Sequence, residues 1–444
     1  MEKKIWLISI NMGYGHQRTA FPLRDLAEKV INANDYPEIP EEDKRIWEST
    51  RMGYEFISRF KRAPLIGDLV FSIFDLFQKI SQFYPRRDLS QPNFALERMY
   101  SLFEKGWGRD LIEKLKIKNE KLKINLPVIS TFFTPAFIAE FFGYPGEIFC
   151  VVCDADISRS WAPLKPKESK IKYFAPTERV VERLKLYGVR EENIFLTGYP
   201  LPIENIGRPP CGRVPDLEIL KDDLKNRILN LDPKKKYFEK YGILIKEKLG
   251  RFPEKSDHPL TIMFSVGGAG VQKELGVEIT QRLSREIKEN EIKIILSAGI
   301  KKWVNDYFLK CIKWLRLENC LGKNIEIIFE EDINDYFQKF NETLRKTDIL
   351  WTKPSELSFY SALGIPIIAS PPIGSQEEFN LNWLLKSGFG ALQENPKYLD
   401  QWLFDWLEKG YFAEMAMEGF IEGEKLGAFN ISRIVTNLGA DVRE

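Results

Sequence analysis

Histidine is nearly missing from this sequence: its 444 residues include 2. Cysteine is scarce too, and its 5 residues form an odd, scattered set that argues against a disulfide framework and for a reducing, cytoplasmic setting. Cys150 and Cys153 make a C-x-x-C, but in an apolar strand positions i and i+3 point to opposite faces. The pair is therefore expected to pack as small hydrophobes, without a metal or redox role. No charge of one sign dominates, since 65 basic and 64 acidic residues leave a net +1. That balance supplies no bulk field for a polyanion, so nucleic acid is not an expected partner. Nor is there an apolar run of the ~18 residues a membrane span requires. The richest stretch, 65–83, carries Asp68, Asp75, Gln78 and Lys79. The N-terminal run Ile5 to Ile10 is too short for the apolar core of a signal peptide and reads as a first strand.

What is present is a soluble globular composition, 44% hydrophobic and 29% charged, with a length that suggests two large domains. Short β-rich apolar runs alternate with helical patterns at both ends of the chain, the mark of parallel α/β sheets. Strands are expected at 4–10, 128–132, 148–153, 171–175 and 193–197, and again at 261–266, 293–297, 325–329, 349–351 and 366–369. Leu23, Leu26, Ala27 and Val30 have helical spacing. An aromatic-rich helical insertion occupies about 45–125. The expected organisation is an N-terminal Rossmann-like domain over 1–203, a linker with inserted helices over 204–257, a second Rossmann-like domain over 258–424, and a C-terminal helix over 425–444 that crosses back.

Three motifs carry chemistry. The turn Asn11-Met12-Gly13-Tyr14-Gly15-His16 follows the first strand, where open α/β sheets place ligands. Gly13 and Gly15 let backbone approach a ligand, and a neutral His16 there suits a general base, or else hydrogen-bonds a structural turn. Gly267-Gly268-Ala269-Gly270 follows another strand and precedes a helix starting near Lys273, an arrangement suited to cradling a diphosphate on backbone amides. No Gly-Lys-Ser/Thr follows, which excludes a Walker loop. The third motif begins with Thr352-Lys353, Ser355 and Glu356. Ser355 reads as a helix N-cap, and Glu356 as a first-turn carboxylate able to bind ribose hydroxyls or merely complete the cap. Further on, Gln376, Glu377 and Asn380 offer donors and acceptors matched to a sugar, or form a solvated loop.

In their combined order these motifs resemble the superfamily containing the lipid-II-forming transferase MurG and the monogalactosyldiacylglycerol synthases. The resemblance covers both halves but not the middle insertions. It implies a GT-B fold, α/β with two Rossmann-like domains facing a central cleft, and inverting transfer from a nucleotide sugar, UDP-linked, to a lipid or other hydroxyl acceptor. His16 matches a histidine proposed as the base in the galactolipid synthases, and Gly267 to Gly270 match the loop facing the donor diphosphate. Thr352-Lys353, Gly364-Ile365-Pro366, Gly374-Ser375-Gln376-Glu377 and Asn380 follow the synthases' order. There are departures: the 353–364 spacing is about two residues short of the synthase pattern, and the ribose-binding glutamate aligns with Phe359, leaving Glu356 as a replacement one turn earlier. Asp154, ahead of Trp161, resembles a Thr-Asp segment of the synthases and is expected to orient His16, bind the acceptor, or cap a turn. The C-terminal site contains no Asp-x-Asp, so neither a metal nor a cofactor beyond the nucleotide-sugar substrate is expected. An epimerase, or a non-catalytic binding protein on the same fold, is the alternative.

Residues 51–87 combine Phe56, Phe60, Phe71, Phe74, Phe77, Phe83 and Tyr84 with Arg59, Lys61, Arg62, Arg86 and Arg87. Such a mix suits peripheral contact with an anionic bilayer, or an ordinary packed insertion.

Overall fold

The computed structural model describes residues 4–60, 80–207, 215–268, 270–372 and 374–437, with backbone alone over 51–60 and at 375 and 437. The chain divides into two compact units. One is built from Met1–Leu201, Ile373–Asn380 and Leu426–Glu444, the other from Pro202–Pro372 and Leu381–Lys425.

The first unit holds a parallel sheet of β1 (Ile5–Ser9), β2 (Ala27–Asn32), β3 (Val128–Ser130), β4 (Ile148–Val151), β5 (Lys172–Ala175) and β6 (Ile194–Leu196), in the order β2-β1-β3-β4-β5-β6. β1, β3 and β4 are buried throughout, as strands covered on both faces must be, which is why their sequences run apolar without alternation. Helices Glu41–Phe60, Phe94–Glu104 and Arg109–Leu122 fill the expected insertion. The helix Gly427–Asn437 packs on the end of this unit: a Cβ on Gly427 would come within 2.2 Å of the Tyr199 carbonyl, and Asn430 Nδ2 donates to Thr197 O at 2.9 Å.

The second unit contains β7 (Leu260–Ser265), β8 (Ile292–Gly299), β9 (Ile325–Phe329), β10 (Ile349–Thr352), β11 (Ile367–Ala369) and β12 (Gly390–Leu392), again all parallel, in the order β12-β11-β10-β7-β8-β9. Helices Glu218–Leu231 and Lys236–Leu249 occupy the segment read as a linker. Two parallel sheets with helices around them constitute the α/β, two-Rossmann-domain GT-B fold.

Two elements differ from expectation. The spacing of Leu23, Leu26, Ala27 and Val30 predicts a helix, yet helix Gly15–Ala20 gives way to a 3-10 turn over Phe21–Leu26 with Pro22 in its first turn, and Ala27–Asn32 becomes β2. As an edge strand it buries Ala27 and Ile31 but leaves Glu28, Lys29 and Val30 exposed, so its pattern imitates an amphipathic helix. Parallel pairing to β1 overrides the local preference. β12, three residues long and carrying a glycine, falls below the length at which periodicity is informative.

Much of the aromatic stretch 51–87, including Phe56, Phe60, Phe71, Phe74 and Phe77, lies outside the described side chains. Phe83 is buried with the Arg179 guanidinium 3.8 Å above its ring, so this residue is packed and does not present itself to a bilayer. Tyr84 is 64% exposed, and Arg86 pairs with Glu182 at 3.4 Å. Among the described residues no helix is long and apolar enough to cross a membrane.

Candidate functional site

In each sheet the strand order reverses at one point, between β1 and β3 in the first unit and between β7 and β10 in the second. Loops leaving the carboxyl ends of two such strands part to opposite faces and open a crevice between them. Both glycine motifs lie at these reversals.

In the first unit, Gly13 has φ +78°, which a side chain tolerates poorly, and open space beside it. This turn delivers His16 to the loop after β3, where His16 Nδ1 lies 2.8 Å from the Thr131 carbonyl oxygen. A carbonyl only accepts, so Nδ1 carries the proton and Nε2 keeps its lone pair for an incoming donor. Burial pushes the imidazole pKa down to about 4, against an upward pull from the Thr131 carbonyl. His16 is half-buried, and with its pKa lowered the ring is neutral at pH 7. Cys153 Sγ is 3.4 Å from the same Nδ1, and the rings of Phe132 and Trp161 lie 4.7 and 6.5 Å from the imidazole.

The loop after β4 is fastened by Asn380. Its Oδ1 accepts from Ala155 N at 2.8 Å while its Nδ2 donates to Asp154 Oδ1 at 3.1 Å, and the residue is 1% exposed. Asn380, expected to offer its amide to a sugar, therefore spends both ends of it on the loop that carries Cys153 and Asp154. Asp156 is bound to Arg183 through paired contacts of 2.8 and 2.7 Å, so the Asp-Ala-Asp sequence places a structural ion pair beside the loop. Among the described residues no group of three or more His, Cys, Asp or Glu side chains is arranged to hold a metal ion.

Next to His16 lies a cavity of about 280 Å³, lined chiefly by apolar side chains that include Met12, Trp47, Met99, Phe132 and Trp161, with Arg98, Gln376, Ser160 and further serine and threonine hydroxyls as polar members. Met12 comes from the His16 turn, and Phe132 and Trp161 also touch the imidazole. Gln376 is thus placed at this cavity, and Glu377 is half-buried on the same helical turn. Phe132, Phe133 and the Thr131 carbonyl escape sequence reasoning because a carbonyl has no residue signature and an aromatic pair after a strand reads as core.

In the second unit Gly270 N donates to Gly267 O at 2.7 Å, closing a tight turn. A Cβ on Gly267 would stand 2.7 Å from Lys353 Cε and 3.5 Å from Nζ, so the lysine side chain lies directly across the loop. Gly270 has φ +69°, and a Cβ there would meet Trp303 at 2.5 Å. Gly268 is half-buried in the turn, and Ala269 lies outside the described residues. The helix Lys273–Arg282 starts where expected, and Gly276 lets it approach β7 so closely that a Cβ would strike the Phe264 ring at 2.6 Å. Gln272 ties the loop to the end of β11, with Oε1 accepting from Ser370 Oγ at 2.8 Å and Nε2 donating to Pro371 O at 3.3 Å.

Thr352 is buried, its hydroxyl 3.4 Å from the Ser265 carbonyl, so it braces β10 against β7. Ser355 Oγ accepts from Leu357 N at 3.4 Å as the N-cap of a 3-10 helix, and Glu356 is half-buried in its first turn. Phe359 is 4% exposed with its ring 4.9 Å from Trp383. The departure at this position is thus a core aromatic, and Glu356 is the acid near the Gly267–Lys353 turn in sequence.

No protein-family model matches the chain. The processive diacylglycerol beta-glucosyltransferase of Bacillus pumilus (strain SAFR-032) is 22% identical over 396 residues, spanning 86% of this chain and 80% of that protein. The protein of the same name from Bacillus subtilis (strain 168) is 22% identical over 242 residues, which span 54% of this chain and 49% of that protein. Among solved structures, MurG of Acinetobacter baumannii aligns with a TM-score of 0.47 at 12% identity over 98% of this chain and 99% of its own. The UDP-GlcNAc 2-epimerase of Neisseria meningitidis bound to UDP-GlcNAc aligns with a TM-score of 0.47 at 13% identity over 98% of this chain and 100% of its own. With glycine motifs at both sheet reversals and a curated likeness running through most of its length, the chain is a relative of the GT-B glycosyltransferase superfamily.

Proposed function

We propose that the protein is an inverting glycosyltransferase that moves a sugar from a UDP-linked donor to the hydroxyl of a lipid acceptor. The carrying observation is His16: neutral, its proton fixed on Nδ1 by a backbone carbonyl, and bordered by an apolar cavity. In this reading Nε2 takes the proton of the acceptor hydroxyl as its oxygen bonds to the anomeric carbon. The bond from that carbon to the diphosphate breaks, UDP departs with the electron pair, and the configuration inverts. The Gly267–Gly270 turn and the Lys353 ammonium offset the charge growing on the diphosphate. Glu356 binds the ribose, while Gln376 and Glu377 contact the sugar. The cavity's aromatic and aliphatic lining suits the hydrocarbon next to the reacting hydroxyl, and the names of the two Bacillus relatives support diacylglycerol as the acceptor type. A lipid acceptor also requires the protein to work at a membrane surface.

The test incubates the purified protein with a panel of UDP-sugars and diacylglycerol in mixed micelles, and identifies products by mass spectrometry. A glycosylated diacylglycerol with the opposite anomeric configuration is expected. Conversion of a UDP-sugar to its epimer without acceptor consumption would instead identify an epimerase. Saturable UDP-sugar binding with no product of either kind would leave a binding protein.

A further inference from the structure

The two cysteines of the C-x-x-C differ in their surroundings. Cys150 is fully buried in β4, and burial alone pushes its thiol up, so it packs as the small hydrophobe the sequence predicts. Cys153, just beyond β4 and also buried, stands instead between two polar groups. Its Sγ lies 3.4 Å from His16 Nδ1 and 3.9 Å from Asp154 Oδ2, within the longer reach of sulfur. The direction of each contact follows from the tautomer. The Thr131 carbonyl can only accept, so Nδ1 carries its proton and the Cys153 sulfur is a second acceptor for it. The thiol's own hydrogen is then left to point at Asp154 Oδ2. On the far side Asp154 Oδ1 accepts from Asn380 Nδ2 at 3.1 Å, and Asn380 is itself fixed by Ala155 N at 2.8 Å. The bonds thus form one directed series, from the His16 ring through Cys153 to a carboxylate that Asn380 holds in place.

We infer that Cys153 is a positioning residue, through whose thiol the Asp154 carboxylate acts on His16. No proton leaves the sulfur. The acceptor hydroxyl gives its proton to Nε2, and the ring becomes an imidazolium between the Phe132 and Trp161 rings, which offer its charge no solvation of their own. Its Nδ1–H then bonds more strongly to both acceptors, because one partner is now ionised. The carbonyl supplies a fixed dipole. The thiol adds a dipole that the carboxylate aligns, so each bond in the series polarises the next. The inference rests on the reading of His16 as the base, and it adds how the ring is supported at the moment it becomes charged. A purely packing role for Cys153 would need its volume alone, so substitution separates the two.

The experiment is a double-mutant cycle on the full chain, read as initial rates of transfer from a UDP-sugar to diacylglycerol in mixed micelles. Cys153→Val keeps the bulk and removes both donor and acceptor, whereas Cys153→Ser keeps both. Cys153→Val should lower kcat about tenfold with the acceptor KM and UDP affinity unchanged, and Cys153→Ser should recover most of that loss. Placed in His16→Ala, Cys153→Val should cost nothing further, since the ring it serves is gone. Circular dichroism checks the fold, and Cys153→Ala replaces Cys153→Val in every comparison if the latter does not fold. A readout apart from activity is the magnetic resonance of isotope-labelled histidine nitrogens, legible because the chain has 2 histidines. Cys153→Val should move the His16 Nδ1 resonance and leave those of His258 in place. Equal rates for Cys153→Val and Cys153→Ser, losses that multiply across the cycle, or an unmoved Nδ1 resonance would overturn the inference. Full activity in His16→Ala, or no transfer by the unaltered chain, would overturn the reading of His16 as the base and this inference with it. A slow His16→Ala beside a Cys153→Val at full rate would remove this inference alone.

Discussion

The two sheet reversals are built alike and equipped differently. At the β1/β3 reversal the glycine turn presents a titratable ring, held by the Thr131 carbonyl and walled by Phe132 and Trp161. At the β7/β10 reversal the turn presents backbone, with Lys353 laid across it at Gly267 and Trp303 against Gly270. In the proposed reaction the first region moves a proton in an apolar setting and the second holds the diphosphate. The comparison teaches that a fold supplies two equivalent crevices, while the side chains placed at each decide which half of a reaction it serves.

The largest expected effect is at the first reversal. His16→Ala should lower kcat by about 10²- to 10⁴-fold, the usual contribution of a positioned base, measured as initial rates of sugar transfer. At the second reversal, Lys353→Met removes the cation over the loop, and UDP affinity should fall about ten- to hundredfold by isothermal calorimetry. A kcat loss in Lys353→Met as large as that in His16→Ala would erase the distinction between the regions.

pH sharpens the same comparison. The free protein needs His16 neutral, and because its pKa is pushed down to about 4, kcat/KM should stay level from pH 8 to about 5 and decline only as the ring protonates below that. A fall beginning near pH 6.5 would mean that the buried setting is lost in solution.

Sequence reasoning placed the glycine turns, His16 and Lys353 just after strand ends, where the structure has them, because residue type and strand boundaries are local signals. It could not reach what depends on partners distant in the chain. Asn380 lies 226 residues from Asp154, and nothing local says that its amide fastens the 154–155 loop. The Thr131 carbonyl that fixes the His16 tautomer is backbone and has no signature in residue type. β2 was hidden because an edge strand exposed over three consecutive residues imitates a helix, and Phe359 reads as a departure until its packing on Trp383 is seen.

Smaller effects follow from these partners. Asn380→Ala leaves the Ala155 amide and one Asp154 contact unmatched, which should cost about 1–3 kcal/mol in urea unfolding and lower kcat without changing UDP affinity. The smallest concerns His258, which bonds Asp348 at the amino ends of β7 and β10, the opposite ends from the Gly267–Gly270 turn. Burial opposes its charge, but Asp348 and Asp257 outweigh that and raise its pKa. The folded protein thus holds this proton more tightly than the unfolded chain, so the stabilisation is complete below about pH 6.5 and fades as pH rises through the raised folded value. His258→Gln should flatten this limb of the stability profile in melts at several pH values, leaving transfer rates unchanged.

Calorimetric titration of UDP into His16→Ala and Lys353→Met side by side tests the division of labour most directly. The account requires His16→Ala to bind UDP with the affinity of the unaltered protein and Lys353→Met to bind it at least about tenfold more weakly. Undiminished binding by Lys353→Met, or a loss of binding confined to His16→Ala, would contradict it.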